Sequence, residues 1–179
     1  MMKNVLLSTL LTGMACCAGS AFAASTGEGQ INFTGEILDS ACEVVNSAAS
    51  PLSVTLGKVS KSSFSTVGAT SAPTTFDIEL KNCPESITST SITFGGTADA
   101  NNNDVLALKA ETGAATGIGV QLLDASSQPL SLYTASADYT LSSGATTNKL
   151  TFGARYIATA PTVTAGLANA ISTFTVVYN

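Results

Sequence analysis

The chain has 179 residues, 45% hydrophobic and 11% charged, with seven Lys or Arg against twelve Asp or Glu, and no His or Trp. So acidic and cation-poor a chain excludes nucleic acid as a partner and offers no basic patch to an anionic membrane. Without His, the common catalytic triads lose their proton shuttle.

Residues 1–23 read as a removable export leader. Lys3 gives the positive start, Val5 to Ala18 is apolar apart from Ser8, Thr9, Thr12 and Gly13, and Ala21-Phe22-Ala23 has the small-x-small pattern of a cleavage site. The run is too short for a membrane span, which needs about 20 apolar residues. Gly13-Met14-Ala15 before Cys16 lacks the upstream Leu of a lipid-anchor site, so Cys16 and Cys17 read as ordinary leader residues. Cleavage leaves 156 residues with six basic and twelve acidic side chains, a length suited to one domain with its own core. Cys42 and Cys83 are then the remaining cysteines, and an oxidising compartment would join them. That bond would close a loop of about 40 residues, worth about 4 kcal/mol on the chain-entropy model. A reactive thiol pair is disfavoured by the absence of CxxC spacing and of His.

The mature chain opens with ASTGEGQ (24–30), polar and Gly-rich, with too little apolar surface to hold itself in place. From 29 to 37 it alternates, with Gly29, Ile31, Phe33, Gly35 and Ile37 on one parity, which predicts a strand with one apolar face. Similar patterns predict strands over 75–81, 91–94, 119–124 and 149–157, and a weak helical pattern covers 105–111. Turn-rich stretches at 99–104, 124–129 and 142–147 lie between them. A last strand begins at Ala168, where Ala168, Ala170, Ser172, Phe174, Val176 and Tyr178 share one parity. The whole predicts an antiparallel β-sandwich of one domain. Its two ends fit a closed sandwich poorly. The extension offers a strand without a sheet, and the last strand offers an edge whose N–H and C=O groups lack a partner.

Candidate chemistry is sparse. Lys58-Val59-Ser60-Lys61-Ser62 brings Lys near Ser, as any Ser-rich loop does, and Asp77 and Glu79 fall singly on an outward strand parity. Asp99 to Asp104 resembles the opening of a calcium loop, but Asp104 stands where Gly is needed and Ala110 where Glu is needed. Asn32-Phe33-Thr34 matches a glycosylation sequon, set inside the extension strand. We therefore expect no enzyme, no catalytic residue, no metal, no cofactor and no small-molecule substrate.

The informative signal lies at the ends. Gly166, fourteenth from the C-terminus, the alternating positions after it and the penultimate Tyr178 resemble the terminal motif of chaperone–usher pilins. Gly35-Glu36-Ile37-Leu38-Asp39-Ser40-Ala41-Cys42 and Phe76-Asp77-Ile78-Glu79-Leu80-Lys81-Asn82-Cys83 resemble the segments around the two cysteines of type 1 major pilins. Gly119-Val120-Gln121-Leu122-Leu123-Asp124 and Ala154-Arg155-Tyr156-Ile157-Ala158-Thr159 are similar to that family's late strands. The resemblance spans essentially the whole mature chain.

The resemblance implies an all-β fold, an incomplete immunoglobulin-like β-sandwich lacking its last strand and completed by a donor strand from another subunit or a chaperone. It divides the chain into a leader (1–23), an N-terminal extension that is the donor strand (24–35) and a pilin domain (36–179). Gly29, Ile31, Phe33 and Gly35 would form the donated face. Gly166, Ala168, Ala170, Phe174, Val176 and Tyr178 would border the acceptor groove, which also receives the chaperone. Implied partners are identical or related pilin subunits in a head-to-tail polymer, a periplasmic pilus chaperone and an outer-membrane usher. Implied location is a fimbrium on the bacterial surface, reached through the periplasm. The runners-up are a minor adaptor pilin and a secreted binding sandwich complete in itself. A tip adhesin would need a lectin domain for which the chain has no room.

Overall fold

In the computed structural model, residues 30–35, 37 and 40–179 are described; the leader at 1–23 and Gly29 lie outside them. The chain separates into two compact units, 1–37 and 38–179. In the first, residues 30–35 and 37 carry no regular secondary structure, and Ile31, Phe33 and Ile37 are 76%, 90% and 97% exposed. The strand predicted over 29–37 is thus not formed at these positions. Alternation sets which side chains share a face, but a strand exists only through ladder bonds to a neighbour, and these residues have none.

Among its described residues the second unit has ten strands: β1 (Glu43–Val44), β2 (Thr74–Lys81), β3 (Ser89–Gly96), β4 (Ala98–Asp99), β5 (Asn102–Ala107), β6 (Ile118–Leu123), β7 (Pro129–Leu130), β8 (Tyr139–Thr140), β9 (Asn148–Ala158) and β10 (Ser172–Tyr178). They form two sheets. The larger runs β1-β2-β9-β6-β5-β4, with β7 added to β6, and the smaller runs β10-β3-β8. Every strand pairing is antiparallel.

Period-two burial explains why the two sheets face each other. Phe76, Ile78 and Leu80 of β2, Leu150 and Phe152 of β9, and Ile92 and Phe94 of β3 all turn into one core. Phe152 sits at its centre, edge-on to Phe94 with ring centroids 5.0 Å apart and 5.3 Å from Tyr139. The opposite parity of β2 carries Asp77 and Glu79, which Lys149 of β9 reaches at 3.8 and 3.2 Å. Half-exposed pairs like these contribute about 0–1 kcal/mol and serve mainly to keep that face wet. The Cys42–Cys83 bond joins the residue before β1 to the second residue beyond β2.

Two sequence expectations are corrected. The chain turns at Ala100 and Asn101, within the turn-rich 99–104 stretch, but instead of a weak helix over 105–111 it forms β5, which pairs with β4 as a hairpin. Asp99 Oδ1 accepts from Asn101 N–H and Asn102 Oδ1 from Asp104 N–H, so these side-chain oxygens serve their own backbone. In β5, Val105 and Leu106 are both buried although they face opposite ways, which erases the alternation that marks a strand. The last strand begins at Ser172, not Ala168. Residues 167–169 bond the 109–115 loop instead, through Lys109 N–H to Asn169 O (2.7 Å), Ala115 N–H to Leu167 O (2.8 Å) and Leu167 N–H to Gly113 O (2.7 Å).

Candidate functional site

β10 is an edge. It pairs with β3 from Ser172↔Gly96 to Tyr178↔Thr90, and among the described residues no strand lies along its other side. Its inward residues Phe174, Val176 and Tyr178 pack on the core yet stay half-buried. Beside them lies a cavity of about 710 Å³. One bank is the 46–58 segment and the other is 168–174, while the floor is core surface: Phe76, Ile78, Phe94, Leu106, Val120 and Leu122. A second cavity of about 400 Å³ adjoins it, sharing Gly57, Lys58, Tyr156, Ala168 and Asn169. Together they form an apolar trough open along an unpaired strand edge.

Local sequence opens this trough. β1 is two residues long because the chain leaves β2 immediately afterwards: Val45 N–H still donates to Glu79 O (3.0 Å), but the return bond from Glu79 N–H goes to the Asn46 side chain (2.7 Å). A side-chain acceptor has replaced the backbone one, so the ladder ends and the segment diverges. Residues 51–60 then carry no regular secondary structure.

The far bank is fixed by Gly166. A Cβ there would fall 2.5 Å from Ala115 N and Gly113 O, so glycine alone lets the two backbones meet. Tyr156 Oη–H donates to Ala168 O (3.0 Å) in this bank, and Thr90 Oγ1–H donates to Val177 O (2.7 Å), holding the edge strand from within. Tyr178 Oη–H reaches Cys42 O at 3.4 Å, which ties the end of β10 to the disulfide. Burial pushes the Tyr156 and Tyr178 phenols up, keeping both neutral donors.

The trough brings several sequence-chosen residues together. Ala168, Ala170 and Phe174 line the larger cavity, and Gly166 and Ala168 the smaller. Val176 and Tyr178 continue the inward face beyond both cavities, and Ser172 donates its hydroxyl to Gly95 O (2.9 Å). Gly35 is exposed with open space around it. Sequence reasoning missed the near bank, where Leu52, Val54 and Leu56 line the cavity. A signal was present, since these three alternate with Ser53 and Thr55. Among the described residues no group of three His, Cys, Asp or Glu side chains is placed to hold a metal.

Comparison with known proteins gives this geometry a family. Residues 31–179 match the model of the family described as "Fimbrial protein". Over 99% of its length the chain is 38% identical to the probable major fimbrial subunit LpfA of Escherichia coli O157:H7, covering 97% of that protein. It is also 38% identical to the type-1 fimbrial protein A chain of Escherichia coli K12, with 98% of each chain covered. Among solved structures, the type I fimbria protein and antigen of Burkholderia pseudomallei is 43% identical, over 84% of this chain and 97% of that one, with a TM-score of 0.59. The P pilus rod subunit PapA shares the fold at 24% identity and a TM-score of 0.63, over 78% of this chain and all of that one. The sandwich is thus an incomplete immunoglobulin-like one, with β10 as its open edge. Two whole-length fimbrial relatives and a family match across the entire sandwich lead to one conclusion: the chain belongs to the fimbrial protein family, as a structural and non-catalytic subunit of an exported, adhesive surface fibre.

Proposed function

We propose that the trough is the acceptor for the extension of the next copy, and that this contact builds the fibre. The open edge of β10 beside an apolar cavity carries the reading. An added strand would satisfy the edge by main-chain hydrogen bonds, while Gly29, Ile31, Phe33 and Gly35 turn their shared face to the core. Ile31 and Phe33 are exposed in the single chain, and burying both contributes about 3–6 kcal/mol, taking about 1.5–3 for each. The contact is head-to-tail and does not close on itself, so it propagates a filament.

On this reading residues 1–23 are removed on export, 24–35 are the donor and 36–179 the acceptor domain. A periplasmic chaperone fills the trough first, and an outer-membrane usher exchanges it for the next subunit's extension. Two relatives bear the names of a probable major subunit and of a type-1 A chain, which favours a main shaft subunit over a minor adaptor.

The test is to move residues 27–37 behind Asn179 through a short flexible linker and delete residues 24–35 from the front. A large rise in melting temperature with loss of polymerisation is expected. An unchanged melting temperature in a stable monomer would show a sandwich already complete and would end the reading.

A further inference from the structure

The charges that line the trough do not follow those of the chain, although Glu111 stands behind the lining and accepts from Asn169 Nδ2 (2.7 Å). Acidic residues outnumber basic ones twelve to seven, yet no Asp or Glu lines either cavity. The charged lining residues are Lys58, shared by both cavities, and Lys61 in the smaller one. Neither forms an ion pair among the described residues, whereas Lys81 and Lys149 do. Lys61 opens a short 3-10 turn (Lys61–Ser63), with Ser60 Oγ accepting from Ser62 N–H (3.3 Å). Phe64 N–H closes that turn onto Lys61 O (3.1 Å), and the Phe64 ring is buried with Ile118 and Ala158. The backbone under this lysine is therefore anchored.

The extension has the complementary charge. Residues 24–37 contain Glu28 and Glu36 and no Lys or Arg. All strand pairings in the sandwich are antiparallel, so an added strand antiparallel to β10 would put its later residues beside the start of β10. That is the end where Ala168 and Gly166 share the smaller cavity with Lys58 and Lys61.

We propose that Lys58 and Lys61 select and set the register of the incoming extension of a second copy by pairing with its Glu36. This rests on the acceptor reading above and adds to it a polar element at one end of the trough. Burial of one face excludes a one-residue slip, which would turn the apolar side chains to water, but a two-residue slip keeps that face inward and is opposed by pocket fit alone. A charge pair at one end removes that degeneracy. Pairs at a rim act mainly on encounter rate and partner choice, and they weaken as salt screens them.

The test adds the synthetic peptide of residues 24–37 to the mature chain and follows association at low and high salt. The Glu36→Lys peptide should bind the natural chain about tenfold more slowly at low salt, and the Glu28→Lys peptide nearly normally, as expected for rim charges. A Lys58→Glu/Lys61→Glu chain should show the reverse preference and bind the Glu36→Lys peptide best. Equal binding of all three peptides, or a stronger effect from Glu28→Lys, would overturn the proposal while leaving the acceptor reading intact. Because the peptide substitutions are read on the unaltered chain, a folding defect in the lysine variant cannot hide the result. Failure of even the natural peptide to bind would remove the acceptor reading, and this proposal with it.

Discussion

β9 and β10 carry the same kind of sequence and meet different fates. β9 has eleven residues and neighbours on both sides, β2 from Thr74↔Ala154 to Leu80↔Asn148 and β6 from Ile118↔Ala158 to Leu123↔Gly153. Its inward Leu150 and Phe152 are each 1% exposed. β10 has seven residues and one neighbour, and its inward Phe174, Val176 and Tyr178 remain half-buried. Alternation decides which side chains face inward. Whether they leave water depends on a strand lying along each edge, and among the described residues β10 has one along a single edge.

The largest effect should come from emptying the closed region. Phe152→Ala removes a ring packed between Phe94, Phe76 and Tyr139, and should cost about 3–5 kcal/mol in urea unfolding. Phe174→Ala sharpens the comparison, because its cost should depend on whether the trough is filled. In the open chain it should be roughly half that of Phe152→Ala, since much of the ring already touches water. In the chain fused to residues 27–37 it should approach the Phe152→Ala value. Equal costs with and without the fused strand would mean that β10 and β9 do not differ in the way described.

The smallest effect belongs to the far rim of the large sheet, where β1 is clasped to the end of β2. Glu43 accepts from Lys81 (3.1 Å) and from Asn82 Nδ2 (2.9 Å), and these bonds hold its carboxyl below the usual carboxylate range. A carboxyl depressed in the fold contributes stability above its unfolded value and loses it as pH falls through the folded one. The gap in melting temperature between the natural chain and Glu43→Gln should therefore be present at neutral pH and vanish in strong acid. Glu43 is exposed, so the gap should be small and should shrink further in salt.

Several parts of this architecture were legible because side-chain parity is a local property. β2, β3, β6 and β9 appear where alternating or apolar runs predict them, and Asp77 and Glu79 face outward as their parity requires. The two-residue strands β1, β4, β7 and β8 were not legible, since two residues display no period. β5 was misread because burial on both faces removes alternation. The near bank of the trough was missed for a different reason: Leu52, Val54 and Leu56 alternate but form no strand, because Asn46 ends the ladder that would have carried them.

The sequence by itself determined the parity of β10, the apolar face of the extension and the small residues at Ala168 and Ala170. These follow from the pleat, which alternates side chains whatever the partner. Only the tertiary structure decided that β10 is an edge, that the 46–58 segment leaves it across an apolar trough, and that Gly166 must be glycine to let 113–115 approach. Those are relations between segments far apart in the chain, and no local period encodes which backbone will come within hydrogen-bonding distance of which.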